Sequence, residues 1–195
     1  MAKHVLRRHT FHSTAYLCLK FYISLFRHMH YTLQQALEKL QGLPLTKTTR
    51  RELVQYFHFG KTHYTTPQGL VLDVGELTLA VNCPWQLQQP GSDIIIRHSD
   101  VFIRRREAGL PAPVWDWKVP GASLRDQRLK DLTNKADAIV VARVEPERQQ
   151  GFILHFANHC QLTVSPDPAQ LVTEYWQLFS NTDDFKFSAS PDSTV

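Results

Sequence analysis

Short segments in which apolar and polar residues alternate recur along the chain, and they limit its fold more than any other feature. In the clearest one, Leu77, Leu79 and Val81 occupy every second position. Alternation of this kind places one apolar face on a β-strand. Further strand candidates, each bounded by turn-forming residues, are residues 69–74, 93–98, 101–104, 138–144, 152–156, 161–164 and 184–189. The sequence therefore predicts a chain dominated by short strands.

Helical spacing occurs in only two places. Thr32–Gln41 carries leucine and alanine at intervals of three and four residues and is closed by Gly42, and Leu124–Leu132 has a similar pattern. Two segments, Thr49–Tyr56 and Ala169–Phe179, fit either a helix or an extended strand. We predict an α+β fold: a mixed, mostly antiparallel sheet with a few short helices.

Two stretches of the chain repeat the same order of features. Gly75 opens an alternating strand that leads to Trp85-Gln86-Leu87, and Gly151 opens another that leads to Trp176-Gln177-Leu178. A glycine turn, a strand, Trp-Gln-Leu and a further strand occurring twice suggest two related β units. Large aromatic side chains contribute strongly to core energetics. We therefore expect Trp85 and Trp176 to be structural residues at equivalent, buried positions.

The 195 residues divide by composition into three parts. Residues 1–28 form a basic extension, residues 29–110 hold a helix and the first β unit, and residues 111–195 hold a linker and the second β unit, the last two sharing one core. A helix pattern begins just after Met29, so residues 1–28 are also open to interpretation as a start-site artefact. Ala108–Pro120 is rich in proline and glycine and is the best linker, although its tryptophans favour packing against the body.

Charge is unevenly distributed along the chain. The formal net charge is +4, yet the first 28 residues hold five basic and no acidic side chains, and residues 111–195 carry a net −3. The basic character is thus a property of the N-terminus. Its apolar segment, Ala15–Phe26, is split by Lys20 and shorter than the roughly 20 residues that span a bilayer, so we predict no membrane span. A basic amphipathic helix on a membrane surface remains an alternative for this segment.

Few residues point to chemistry. His155 and His159 are spaced like ligands on a helix, but their segment alternates like a strand, and Cys160 follows without a positioned base. Three widely spaced cysteines fit neither a disulfide framework nor a zinc ribbon, and they indicate a cytoplasmic location. The eight glycines form no phosphate-binding loop. We expect no metal, no cofactor and no catalytic residue, while an enzyme of unrecognised type stays an alternative.

Two motifs carry a resemblance to a known group of proteins. Cys83-Pro84-Trp85-Gln86-Leu87 lies in the first stretch, and Pro166-Asp167 precedes Glu174-Tyr175-Trp176-Gln177-Leu178-Phe179 in the second. Leu77–Asp100 and Leu124–Phe187 resemble small uncharacterised bacterial proteins that look like immunity proteins of polymorphic-toxin systems. Their pattern has arginine where this chain has Gln86 and Gln177. The resemblance implies a cytosolic binding protein that neutralises a cognate toxin without turnover, and it implies no catalytic residues.

A toxin-binding surface needs apolar anchors and charge complementarity. We expect it on the acidic half of the chain, with Trp115 and Trp117 as anchors and with acidic contacts from Asp116, Glu145, Glu147 and Glu174. The alternative from another class is a nucleic-acid-associated protein that uses the basic N-terminus and Arg104-Arg105-Arg106. Because that arginine run equally fits a protected strand edge, we do not expect nucleic acid to be the main partner.

Overall fold

Each of two short helices begins with a capping box. The computed structural model describes residues 31–88, 95–104, 115–134 and 139–192. Helix α1 is Leu33–Glu38 and helix α2 is Leu124–Thr133. In each, the side chain of the N-cap residue, Thr32 or Ser123, accepts a hydrogen bond from the backbone three residues on. These capping boxes satisfy backbone groups that have no partner within the helix.

Strands make up most of the remainder. In chain order they are β1 Pro44–Arg51, β2 Val54–Phe59, β3 Thr62–Thr65, β4 Val71–Val74, β5 Leu77–Val81, β6 Trp85–Gln88, β7 Ile95–Arg97, β8 Ile139–Pro146, β9 Phe152–Phe156, β10 Gln161–Val164, β11 Trp176–Ser180 and β12 Lys186–Ala189. Short 3₁₀ turns at His98–Phe102 and Arg148–Gln150 interrupt them.

Ten of these strands form one antiparallel sheet. Their order is β12-β11-β5-β2-β1-β8-β9-β10-β6-β7, and β3 pairs only with β4 in a separate hairpin. The predicted sheet, mostly antiparallel and accompanied by a few short helices, is confirmed. All pairings between named strands are antiparallel among the described residues.

The strand order separates into two sets of five. In the first set β1, β2 and β5 pair in succession, and in the second β8, β9 and β10 do the same. Each set then ends in a hairpin, β6–β7 or β11–β12, that pairs with the third strand of the other set. Trp85 lies opposite Val164 at one of these junctions, and Trp176 lies opposite Val81 at the other. The two sets are therefore joined by exchanged hairpins.

The sheet bends so that its two halves pack against each other. Phe57 on β2 meets Trp85 on β6 edge-to-face with ring centroids 5.2 Å apart, and Phe152 on β9 meets Trp176 on β11 at 4.9 Å. The strands of each pair are five places apart in the sheet order. At the centre of the strand order, β1 and β8 share only two residue pairs. Trp85 and Trp176 are 3% and 1% exposed, as their structural role predicts.

Alternation along the strands separates the core from the outer surface. Trp85 and Leu87 are buried while Gln86 is exposed, and Trp176 and Leu178 are buried while Gln177 is half-buried. Outward positions of this kind tolerate polar side chains, because water solvates them. Gln86 and Gln177 thus lie off the core.

Three local predictions had different outcomes. Residues 101–104 were expected to continue as a strand, but Val101 and Phe102 belong to the 3₁₀ turn. Asp100 causes the change, because its carboxylate accepts a hydrogen bond from the backbone N–H of Arg97, 3.0 Å away, and turns the chain at the end of β7. Thr49–Tyr56 proves to be extended and hairpin-forming, and Ala169–Phe179 becomes a strand only from Trp176.

The described part of the chain contains no helix long and apolar enough to cross a membrane. The basic extension 1–28, residues 108–114 of the linker, and Arg105 and Arg106 lie outside the described residues.

Candidate functional site

A buried ion pair joins the first strand to the second helix. Arg50, near the end of β1, donates from Nε and Nη2 to the two carboxylate oxygens of Asp126 on α2, at 2.7 and 2.8 Å. The Arg50 side chain is only 2% exposed. Burial alone would raise the pKa of Asp126, but hydrogen bonds from Arg50 and Ser123 and the charge of Arg50 lower it overall. A bidentate pair of this kind fixes both partners in position.

The same arginine holds the segment before the helix. Arg50 Nη2 donates to the backbone carbonyls of Trp117 and Val119, at 2.8 and 2.6 Å. Asp126 Oδ2 also accepts a hydrogen bond from the backbone N–H of Gly121, 2.8 Å away. Residues 117–121 are therefore tied to β1 and α2 at several points, although they have no regular secondary structure.

This segment displays an apolar surface, which we call the Trp117 patch: Phe102, Ile103, Trp117 and Val119. The rings of Phe102 and Trp117 meet at 5.2 Å between centroids. Phe102, Ile103 and Val119 are each about half exposed, and Trp117 is half-buried. The backbone carbonyl of Ile103 accepts from the N–H of Leu124 at 2.8 Å, which joins the two contributing segments. The patch is thus a preformed surface.

The residues predicted as apolar anchors lie at or beside this patch. Trp117 is part of it, and Asp116 is exposed next to it, with its Oδ1 accepting from the N–H of Lys118 at 2.8 Å. Trp115 is half-buried, and its indole Nε1 is buried without a hydrogen-bond partner among the described residues. The prediction that the tryptophans pack against the body fits these positions.

The three predicted glutamates lie elsewhere. β1 and β8 share pairs only at their first residues and run away from that point, so Arg50 and Glu145 lie in opposite directions along the sheet. Glu145 is exposed, and His155 at 3.1 Å and Arg143 at 2.8 Å lower its pKa. Glu147 lines a shallow groove with Arg148, Ser165 and Pro166, and Glu174 accepts from Gln177 at 3.0 Å. The structure does not bring the six predicted residues onto one surface.

A second buried arginine, Arg125, lies on the inward face of α2. Arg125 is 0% exposed; it donates to the carbonyl of His98 at 2.9 Å, and its guanidinium lies 5.8 Å from the ring of Trp85. Burial lowers the pKa of Arg125 to about 10, so it stays charged at neutral pH. Burial and the nearby Arg125 charge lower the pKa of His98 to about 4. Arg125 therefore holds the first residue of the 3₁₀ turn that contains Phe102.

The residues considered for catalysis are not assembled for it. His155 points outward to Glu145, His159 lies in the turn after β9 with φ of 66°, and Cys160 is buried. Burial raises the pKa of the Cys83 thiol to about 12. No group of three or more His, Cys, Asp or Glu side chains among the described residues is placed to hold a metal ion.

Sequence reasoning identified Trp117 but missed the other residues that build the patch. Phe102, Ile103 and Val119 were not singled out, and neither were Arg50 and Asp126. The only available signal was the Ser123-x-x-Asp126 capping box, which marks the start of α2. Nothing in a run such as Thr48-Thr49-Arg50-Arg51 indicates which arginine turns inward.

No protein-family model, no curated protein and no solved structure matches the chain.

Proposed function

We propose that this chain is a binding protein of the bacterial cytosol, most specifically an immunity protein that neutralises a cognate toxin by stoichiometric binding. The observation that carries the proposal is the Trp117 patch: exposed apolar side chains fixed in place by a buried arginine. Exposed apolar patches rimmed by polar groups mark interaction sites. Preorganisation lowers the entropic cost of binding, because the contact residues are already ordered.

Within this proposal, Trp117 and Phe102 are the central apolar contacts. Asp116 and Lys118 flank them with opposite charges, which suits recognition of a polar rim around an apolar centre. Glu145 and Glu147 lie on or after β8, which runs away from β1, and Glu174 precedes β11, three strands from β1 in the sheet order, so none of the three is part of the patch. They would serve a large partner as peripheral charges that speed association.

We further propose that the two sets of five strands are copies of one β unit. The support is twofold: Trp-Gln-Leu begins the fourth strand of each set, and each tryptophan lies opposite the last residue of the third strand of the other set. The helices are exchanged in the same way. Helix α1 precedes the first set and packs on β8 of the second, whereas α2 precedes the second set and packs on β1 of the first.

The test is protection of bacterial cells co-expressing this chain with the product of the adjacent gene. Trp117→Ala and Phe102→Ala should weaken binding by about 2–4 kcal/mol each and lower protection, as truncation of a central contact does. Leu171→Ala is the matched control, because this leucine is fully exposed and lies outside the patch. Circular dichroism of each variant checks that the fold is kept.

Two results would count against the proposal. If the patch variants protect as well as the wild type, the Trp117 patch is not the contact surface. If His155→Ala or Cys160→Ala abolishes protection while the fold is intact, a catalytic or metal-dependent mechanism replaces the binding one.

A further inference from the structure

The β3–β4 hairpin, residues 62–74, is an arm with one apolar face. Tyr64 lies opposite Leu72, and Thr62 lies opposite Val74 on the same face. The other face carries the His63–Asp73 pair, whose Nδ1 and Oδ1 atoms are 2.7 Å apart, and Val71, which is 59% exposed. Tyr64, Leu70 and Leu72 are 39–60% exposed. A two-stranded hairpin is marginally stable alone in water, so this β3–β4 arm gains stability only when its apolar face is covered.

The fold itself does not require the arm. The corresponding connection in the second set of strands, between β9 and β10, consists of residues 157–160 alone. Between β2 and β5 the chain instead inserts residues 60–76, and neither strand of the arm pairs with the large sheet. An insertion with exposed apolar side chains points to a role in association.

The Trp117 patch is the complementary surface. Among the described residues, eight large apolar side chains are exposed, and seven of them belong to the arm or to the patch; Leu171 is the exception. Both surfaces are uncovered, so the arm does not cover the patch of its own chain. Each surface therefore offers the other the apolar contact that it lacks.

The two surfaces start from opposite ends of one strand pair. The arm leaves β2 after Phe59, which lies opposite Leu45, whereas the patch is held by Arg50, which lies opposite Gln55. A two-fold axis across these strands would place two copies side by side in opposite directions. Each arm would then reach the patch of the other copy, and both contacts would form together, which closes the assembly as a dimer.

We infer that a second copy of this chain covers these surfaces, in a two-fold dimer with reciprocal arm-to-patch contacts. Tyr64, Leu70 and Leu72 on the arm are roughly half exposed, and at about 150–250 Å² for a large side chain they present on the order of 300 Å². The side chains of the Trp117 patch present about the same area. Two arms packed on each other would bury only that much on each copy. One arm and one patch together give roughly 600 Å² per copy, which reaches the lower end of the range for specific interfaces.

The inference rests on the proposal that the Trp117 patch is a protein-binding surface, and it adds a form of regulation. The dimer keeps the patch covered until the cognate partner displaces the arm. Self-association and partner binding therefore compete, and the apparent affinity for the partner falls as the concentration of this chain rises.

Sedimentation of the purified full-length chain over a wide concentration range tests the dimer without any partner. The wild type should show a monomer–dimer equilibrium. Leu70→Asp on the arm and Val119→Asp on the patch should each weaken dimerisation roughly a hundredfold, because each places a charge in an apolar contact. Leu171→Asp introduces the same charge outside both surfaces and should leave the equilibrium unchanged.

Mixing the two variants separates this arrangement from others. A heterodimer of Leu70→Asp and Val119→Asp keeps one intact arm and one intact patch in contact, so the mixture should dimerise more strongly than either variant alone. An arm-to-arm or patch-to-patch interface predicts that one of the two variants dimerises like the wild type. That result, or a larger assembly than a dimer, would overturn the inference.

Removing the arm gives an independent check. Deletion of residues 62–74 leaves Gly60-Lys61-Gly75-Glu76 as a four-residue turn, the length used between β9 and β10. Gly75 is kept because a Cβ there would lie 2.8 Å from the backbone of Phe59. The variant should unfold cooperatively and stay monomeric. If the wild type is itself monomeric while Trp117→Ala still lowers protection, the dimer is wrong and the proposed function stands.

Discussion

At the residue scale, two glutamines hold a backbone conformation that favours glycine. Gln149 and Gln150, in the turn between β8 and β9, have φ of 56° and 60°. Gln150 is fixed there, because its carbonyl accepts from the indole N–H of Trp176 at 2.8 Å and its side chain donates to the carbonyl of Ser190 at 3.1 Å. Left-handed backbone costs a non-glycine residue about 1–2 kcal/mol. The hydrogen bonds of Gln150 therefore hold the turn in a backbone conformation that non-glycine residues disfavour.

Replacing Gln149 tests this strain. Gln149→Gly should raise the free energy of unfolding by roughly 0.5–1 kcal/mol, since the relief of strain exceeds the extra entropy of glycine in the unfolded chain. Gln149→Ala, which removes the side chain and keeps the strain, is the control and should bring no gain. Urea denaturation measures both. Equal effects of the two variants would show that the side chain, and not the backbone, sets the stability of the turn.

His98 gives the protein a pH-dependent stability. Its pKa is lowered from 6.5 to about 4, chiefly by burial and then by the charge of Arg125, while a hydrogen bond to the backbone of Cys83 opposes the shift. Between pH 6.5 and about 4, His98 is protonated in the unfolded chain but stays neutral in the folded chain. Stability therefore falls as the pH drops from 6.5 to about 4, by roughly 3 kcal/mol at most.

His98→Gln should flatten this part of the stability profile, measured by denaturation at a series of pH values. The lowered pKa of Asp126 acts in a different window: its contribution is present above the ordinary carboxyl pKa of 3.8 and is lost only at lower pH. An unchanged slope between pH 4 and 6.5 in the glutamine variant would mean that another group causes it.

At the scale of elements, α2 is attached to β1 by charge as well as by packing. Arg50 and Asp126 are both largely buried, with side chains 2% and 11% exposed. Breaking a buried pair by removing one partner costs about 3–5 kcal/mol, because the other charge stays buried without compensation. Asp126→Asn should therefore destabilise the protein by about that amount and loosen residues 117–121.

A second variant separates the ion pair from the helix start. Ser123→Ala removes only the side-chain cap and should cost about 1 kcal/mol. Amide hydrogen exchange should show faster opening at 117–121 for Asp126→Asn than for Ser123→Ala. Equal exchange in the two variants would show that the cap, and not the Arg50 contact, orders the patch.

The sequence predicts the helices and strands better than it predicts the long-range contacts that join them. Period-two patterns gave most strands, and the capping residues mark both helices, because these signals act between near neighbours. The Arg50–Asp126 pair joins residues 76 positions apart. Strand propensity is equal for an arginine that turns inward and one that faces water, so the patch built on this pair has no local signature.

At the scale of the whole molecule, Trp85 and Trp176 should both contribute strongly to stability. Both start a strand, both are buried, and each meets a phenylalanine edge-to-face across the bend of the sheet. Truncation of either to alanine should cost about 3–5 kcal/mol. Trp176→Ala also loses a hydrogen bond to Gln150, so its cost should be the larger of the two.

Thermal and urea denaturation of Trp85→Ala and Trp176→Ala give these values directly. Free quenching by iodide of the fluorescence assigned to either tryptophan would contradict a buried, equivalent pair. The repeated Trp-Gln-Leu motif is visible in the sequence, but the exchange of hairpins between the two sets of strands could not be predicted from it. A repeat shows that two segments are alike, and it does not show which of them pairs with which.

The exchanged hairpins have a consequence for synthesis on the ribosome. When β1, β2 and β5 have emerged, the outer edge of β5 waits for β11, which lies nearly a hundred residues further along the chain. An unpaired strand edge is a template for wrong pairing, and pairing between distant segments is slow to form. The nascent chain therefore carries an open edge until its last strands are made, and chaperone capture during translation would protect the protein when it is most prone to aggregate.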